Sequence, residues 1–247
     1  MSKFFVKDNQ INNNSINIVG EDVNHISNVL RMKKEDELQV CNQETGENYI
    51  TKITSFSKEK IECEIVKKID KTVESNVNIT LFQGIPKFDK MELIIQKNTE
   101  VGVKKIVPVL MERTVVKLDE KTINKKIERW QKISEVAAKQ SMRDIIPEVE
   151  NVIKLKDIEK QNYDIILVAY ENEDKNMLKS ELIELKNKKM NKYNIAIVIG
   201  PEGGISEKEI EILKNMGAVF VSLGKRILRT ETAGIVMSGN IIYELED

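Results

Sequence analysis

The sequence predicts an α/β protein with a parallel sheet, preceded by a smaller domain of short strands. Three observations lead there. From Val77 onward, apolar runs alternate with stretches of helical period, the rhythm of strand–helix–strand units. Asp164–Tyr170, Ile195–Ile199 and Ala218–Leu223 are short, nearly unbroken apolar runs, as in strands buried on both faces. Residues 1–72 instead show short segments separated by charged turns, and Leu38/Val40 and Ile61/Cys63/Ile65 repeat every second residue. Two domains follow, 1–72 and 73–247, with the polar stretch Asp70–Asn78 as the linker.

In order, the first domain holds candidate strands Lys3–Lys7, Ser15–Val19, Glu37–Asn42, Asn48–Thr54 and Lys60–Lys68, interrupted by a short helix, Asp22–Leu30. Strands at this spacing suggest a small barrel. The second opens with strand Val77–Gln83, helix Lys90–Val101 and strand Lys105–Leu110. Thr122–Gln140 is a long helix in which Ile123, Ile127, Trp130, Ile133, Val136 and Ala137 recur at helical spacing, which makes Trp130 a core residue. Strand Asp164–Tyr170 and helix Asn176–Asn187 lead to strand Ile195–Ile199. Ser206 and Glu209 have the spacing of a capping box, so a helix starts there. After strand Ala218–Leu223, Thr230 can open a last helix, and Thr230 or Thr232 can cap it.

Composition narrows function. The 247 residues carry a formal net charge of -1, so a polyanionic partner must be met by a local patch and not by the overall field. No apolar run approaches the ~20 residues that span a bilayer, and Met1–Gln10 lacks a secretory core, so a cytoplasmic protein without a membrane is expected. Cys41, Cys63 and the single His25 have no metal-ligand spacing, so no metal is expected, and both thiols read as small buried hydrophobes. Of 39 basic residues only Arg31, Arg113, Arg129, Arg143, Arg226 and Arg229 are Arg; where a Lys-rich chain uses Arg, a planar fork for phosphate or a base edge is a candidate role.

Two glycine turns carry the chemistry. Gly200-Pro201-Glu202-Gly203-Gly204 follows strand Ile195–Ile199, and Gly224 follows Ala218–Leu223. Loops at the carboxyl ends of parallel strands are where α/β proteins bind ligands. The first turn is not a Walker loop, for it has no GxxxxGK with its Lys, and its late position and spacing do not fit a dinucleotide fingerprint. Glu202 inside the turn would repel a pyrophosphate and suits a neutral or cationic ligand, of which adenosine bearing a sulfonium and an ammonium is one. Lys225, Arg226 and Arg229 surround the second turn, just before a helix N-terminus that itself favours anions.

The segments IGPEGGIS and LGKRILRTETAG closely resemble those of the 16S ribosomal RNA uridine-N3 methyltransferases, a family of the SPOUT class. Met91–Leu110, the ERTVVK stretch from Glu112 and Arg129–Pro147 are similar to further family segments, and His25–Met32 (HISNVLRM) resembles the signature of the family's N-terminal RNA-binding domain. Two positions depart: Lys3 stands where Arg commonly precedes the aromatic pair Phe4–Phe5, and Asn24 where a second His is common.

The resemblance implies a trefoil-knotted C-terminal α/β domain with a parallel sheet, a PUA-like β-barrel at the N-terminus, a homodimer, and S-adenosylmethionine bound in the knot. By carry-over, Ile199, Gly200, Glu202 and Gly203 would form one wall of that pocket, and Leu223, Gly224, Ile227 and Leu228 another, with Tyr170 and Glu171 at its border. The substrate implied is a uridine of 16S ribosomal RNA in the small ribosomal subunit. Its N3 imide must lose a proton, for which Arg229, Glu202 and Glu231 are the catalytic candidates; Glu231 equally suits its helix N-terminus. Lys3, His25, Arg31, Arg113, Gln140 and Arg143 are the RNA-binding candidates, and Gly84–Ile146, with 14 basic and 9 acidic residues, is the segment able to form a basic surface. Rival readings are another SPOUT enzyme acting on transfer RNA or a different ribosomal site, a non-catalytic RNA-binding assembly factor that retains a knotted domain, and a small-molecule nucleotide enzyme.

Overall fold

The computed structural model describes residues 3–116 and 120–246, so Lys117, the last residue of ERTVVK, lies outside the described residues. The chain forms two compact units: Met1–Glu74 with Ala138–Ile146, and Ser75–Ala137 with Pro147–Asp247.

The first unit is built on a six-stranded sheet of β1 (Lys3–Val6), β2 (Ile11–Asn12), β3 (Ser15–Val19), β4 (Glu37–Asn42), β5 (Asn48–Phe56) and β6 (Lys60–Ile69). The order is β1-β4-β5-β6-β3-β2; β1 pairs parallel with β4 and every other pair is antiparallel. Phe4 and Val6 near one edge share a core with Ile16 and Ile18 near the other, and with Leu38, Val40, Ile53, Ile61 and Cys63 between them. One continuous face can enclose a single core only if the sheet curls. It does so without β1 pairing β2, so the expected barrel is a curled, open sheet. Register shifts at Ile50/Thr51 and Ile53/Ser55 supply bends. Both cysteines are free and fully buried, and burial pushes the Cys41 thiol up to about 12 and that of Cys63 up to about 11.

The expected helix Asp22–Leu30 is a short α1 (Glu21–Asn24) continued by a π-helical turn, His25–Val29, in which the Leu30 N–H donates to the His25 carbonyl. Val23 and Ile26 are buried, and Arg31, at φ 53, turns the chain out.

Charges explain why Ala138–Ile146 joins this unit. The Lys3 ammonium pairs with Asp144 and donates to the Met142 carbonyl at 3.2 Å. Asp144 also accepts from Thr72 at 2.6 Å and from the Val73 N–H at 2.8 Å, and Arg143 forks onto Glu74 at 2.6 and 3.0 Å. Burial alone would raise the Asp144 carboxyl; Lys3, Thr72 and the Val73 amide outweigh it and hold the group below its ordinary value. Lys3 and Arg143, expected to meet RNA, are 2% and 5% exposed, which corrects that expectation: both are spent on internal ion pairs.

The second unit has a parallel sheet. Its elements are β7 (Val77–Gly84), α2 (Lys90–Val101), β8 (Lys105–Leu110), α3 (Glu120–Gln140), β9 (Glu148–Val149), β10 (Ile153–Lys154), β11 (Ile165–Ala169), α4 (Leu178–Asn187), β12 (Tyr193–Ile199), α5 (Glu207–Asn215), β13 (Val219–Val221) and α6 (Thr230–Leu245). The last turn of α3 carries on into the Ala138–Ile146 segment of the first unit. The order is β10-β8-β7-β12-β11-β13, with β9 beside β8. Central β12 runs in register from Tyr193↔Val77 to Ile199↔Gln83.

Both faces are covered. Ile195, Ile197 and Ile199 meet α2, α4 and α6 together with Trp130, which is 4% exposed; Ala196 and Val198 face α5 through Leu213. The chain leaves β13 at one edge of the sheet, yet α6 packs on β7, β12 and α2. The segment between Val221 and Thr230 therefore returns across the carboxyl ends of β11 and β12.

Candidate functional site

The two glycine turns leave strands that are not neighbours: β11 lies between β12 and β13. The end of β11, Ala169–Glu171, fills the gap, and the return of the chain brings the turns together over it. Two adjoining cavities result. One, about 480 Å³, is walled by Ile199–Gly204 on one side and Ile227–Thr230 on the other, with Ala169, Glu171, Lys90 and Ala233. The smaller, about 100 Å³, lies among Tyr170, Glu171, Leu223, Gly224, Ile227 and Leu228. All ten residues expected at the methyl-donor pocket thus line one or the other. The larger volume lies in the range of small-molecule sites.

The first turn is held from three directions. Gly84 ends β7 beneath it, where an added Cβ would lie 2.6 Å from the Pro201 ring and 2.7 Å from the Pro201 nitrogen. Arg113 lies over Gly203 and donates to its carbonyl at 2.9 Å, so a Cβ there would meet the Arg113 Cβ at 2.9 Å. Gly204 has φ +71, and a side chain on it would meet Glu171 Oε1 at 2.8 Å. Downstream, Ser206 caps α5 in the expected box: its N–H donates to Glu209 at 2.9 Å, and Glu209 also accepts from the Glu112 N–H at 2.8 Å.

The start of α6 is tied to the same turn. The Thr230 hydroxyl donates to the Gly200 carbonyl at 2.7 Å and accepts from Gln83 Nε2 at 2.9 Å. Thr230 is therefore not a cap as expected; Arg229 occupies that position without a side-chain cap bond. Gln83 is fully buried at the end of β7, and its Oε1 has no partner among the described residues.

Glu202, Glu231 and Arg229 come together around a fourth group. Lys90, first residue of α2, places its ammonium 3.0 Å from Glu202 and 3.3 Å from Glu231. Glu202 also accepts from the Lys87 N–H at 3.1 Å. Burial would raise the Glu202 carboxyl, but Lys90 and the backbone N–H groups of Glu202 and Lys87 prevail and lower it. Lys90 is raised, chiefly by Glu202. The Glu231 Oε2 atom is buried, at ion-pair distance from Lys90 but without hydrogen-bond geometry. Arg229 is exposed at the rim of the larger cavity.

Sequence reasoning missed Lys90, Gln83 and Gly84. Two of them left a signal: a cation at a helix N-terminus opposes the macrodipole, and an amide closing an apolar strand needs a buried partner. Of the other RNA candidates, His25, Arg31 and Gln140 are exposed in the first unit, and an edge of His25 rests on Phe4 with ring centroids 6.1 Å apart. Arg113 is exposed as well as bonded to Gly203. No cluster of metal-ligating side chains occurs among the described residues.

The walls can be matched to a sulfonium-bearing adenosine. Glycines leave the backbone bare, and among the described residues the peptide N–H groups of Ile227 and Leu228 find no protein acceptor. Ile199, Leu223 and Leu228 are apolar, while Glu171 offers negative charge to a cation and the charge of Glu202 is matched by Lys90.

The profile of an RNA methyltransferase domain matches residues 73–242, and that of an RNA methyltransferase PUA domain matches residues 18–66. These two matches define the class, an RNA methyltransferase. Ribosomal RNA small subunit methyltransferase E of Bacillus subtilis is 38% identical over 94% of this chain and 91% of its own length. The protein of that name from Mesomycoplasma hyopneumoniae is 33% identical over 96% and 97%. The crystal structure of the Neisseria gonorrhoeae protein of that name, bound to S-adenosyl methionine, superposes with a TM-score of 0.83 at 30% identity, covering 98% of this chain and 97% of that one. The chain belongs to the ribosomal RNA small subunit methyltransferase E family.

Proposed function

We propose that this protein transfers a methyl group from S-adenosylmethionine to N3 of a uridine in the 16S ribosomal RNA of the small subunit. The observation that carries this reading is the cavity between the two glycine turns, bare in backbone, with Glu171 and the Lys90-paired Glu202 on its walls and Arg229 at its rim. S-adenosylmethionine, when bound, supplies an electrophilic methyl on a cationic sulfur. Ile199, Leu223 and Leu228 exclude water around it, and the N–H groups of Ile227 and Leu228 receive its acceptors. Glu171 complements its positive charge, while the charge of Glu202 is matched by Lys90.

Arg229 stabilises the negative charge that develops on the uracil carbonyl oxygens as the N3 proton leaves, a use of fixed charge that needs no reorganisation. Glu202 is a poor base, since its carboxyl is held low and proton transfer weakens with basicity. Glu231 is the remaining carboxylate among the candidates, at the start of α6 with its Oε2 buried against Lys90. His25, Arg31, Arg113 and Gln140 are the RNA contacts in this reading; Lys3 and Arg143 are withdrawn from it.

The segment 222–229 and α6 form the expected knot, a reading supported by the return of the chain from β13 to β7. The first unit is the RNA-binding PUA-like domain and the second the catalytic one. The protein acts as a homodimer in the cytoplasm; the dimer is supported by Ile227 and Tyr243, large side chains 84% and 87% exposed near and on α6, and the location by a ribosomal RNA substrate.

The test is incubation with labelled S-adenosylmethionine and small subunits, naked 16S RNA or transfer RNA, with the label mapped. Label at uridine N3 in small-subunit RNA is expected. Label only in transfer RNA favours the related enzyme, and none in any of them removes the catalytic reading.

A further inference from the structure

Lys90 stands where helix physics least favours it. The N-terminus of α2 carries partial positive charge, and a cation in the first turn is disfavoured there. It is kept by two carboxylates from other parts of the chain, Glu202 in the first glycine turn at 3.0 Å and Glu231 in the first turn of α6 at 3.3 Å. The three side chains are 27%, 26% and 15% exposed, so water screens them only in part. Each of these three segments also contributes to the wall of the larger cavity.

We propose that Lys90 is a positioning residue whose ammonium holds Glu202 and Glu231 to one cation and so locks the first glycine turn to the start of α6. The proposal rests on the methyl-transfer reading for its consequence, because Arg229 immediately precedes the locked turn of α6. Without the cation, two carboxylates would face each other in a half-buried site, where one of them takes up a proton or moves away. Other charged groups near the triad are Lys87 and Asp89, just ahead of it in the chain, Arg113 over Gly203, Glu171 beside Gly204, and Arg229. None of these is within recorded ion-pair distance of Glu202 or Glu231 among the described residues; Lys90 alone is.

The test is a carbon-13 NMR titration of the full chain with labelled glutamate, the Glu202 resonance being identified by its loss in Glu202→Gln. The wild-type midpoint should fall below the ordinary value of about 4.3. Lys90→Met should move it up by about one unit or more, and Lys90→Arg, which keeps the charge, should hold it low. The acid limb of the methylation rate should shift upward with it in Lys90→Met and not in Lys90→Arg. A Glu202 midpoint that does not move in Lys90→Met overturns the proposal. If Lys90→Met does not fold, the wild type decides: a midpoint at or above about 4.3 overturns it. A midpoint that moves as expected, in a protein that methylates no RNA, supports the lock and removes the methyl-transfer reading instead.

Discussion

Replacing Thr230 by Val tests whether the two glycine turns form one site. The exchange keeps the shape of the side chain and removes its hydroxyl, which is 7% exposed as a residue and makes two hydrogen bonds, to the Gly200 carbonyl at 2.7 Å and from Gln83 Nε2 at 2.9 Å. Gln83 Nε2 keeps its bond to the Gly84 carbonyl, so the unpaired group left behind is the Gly200 carbonyl, on the wall of the cavity. Two lost bonds at about 1 kcal/mol each, with part of the desolvation cost of one carbonyl, come to about 2–3 kcal/mol. At about 2–4 °C per kcal/mol for a chain of this size, the midpoint of thermal unfolding should drop by about 4–12 °C. Thr230→Ser, which keeps the hydroxyl, should recover most of that. Calorimetry without ligand gives the midpoint, and titration with S-adenosylmethionine should show weaker binding in Thr230→Val because the first turn has lost one of its ties to α6. A midpoint within 1 °C of wild type, as an order-of-magnitude bound, with unchanged donor affinity would refute the reasoning.

Arg229→Ala should lower the methylation rate by about 10²–10³ while changing donor affinity far less; equal losses in both would remove its electrostatic role. Gly84→Ala drives a Cβ to 2.7 Å from the Pro201 nitrogen, which backbone cannot yield cheaply, so a loss of about 1–3 kcal/mol in stability is expected, with weakened donor binding by titration calorimetry. Lys3→Met leaves Asp144 buried without its cation and should cost about 3–5 kcal/mol by urea denaturation at neutral pH. The Asp144 carboxyl sits below its unfolded value, so the stability it contributes is complete above about pH 4 and is lost as pH falls further. The gap between wild type and Lys3→Met should therefore close in acid, and a gap constant with pH would contradict the pairing.

What could be read from the sequence was what depends on near neighbours in the chain. The run Ile195–Ile199 says that a strand is buried on both faces, and Ser206 with Glu209 says where α5 starts, because each pattern carries its physics within a few residues. The two-residue strands β2, β9 and β10 are too short for any period to register, and nothing in HISNVLRM marks a π-helical turn. Strand order was illegible for another reason: β11 lies between β12 and β13 although it precedes both, and only packing decides that. The site divides the same way. Glycines and an odd carboxylate located the cavity, while Lys90 belongs to it through partners more than a hundred residues away. Lys3 and Arg143 misled because a charged side chain is exposed by default, and the carboxylates that bury these two, Asp144 for Lys3 and Glu74 for Arg143, are 141 and 69 residues distant.

The bond from Gln83 to Thr230 joins residues 147 positions apart. Closing a loop that long costs chain entropy, which the strands paired between the two residues offset. The wall of the larger cavity is thus complete only when both ends of that long loop have met. Ligand drawn to that state alone would favour it by mass action, by about 2.7 kcal/mol at a hundredfold excess over the dissociation constant. A bound methyl donor would then add to the stability of the folded chain as well as supply the group it transfers.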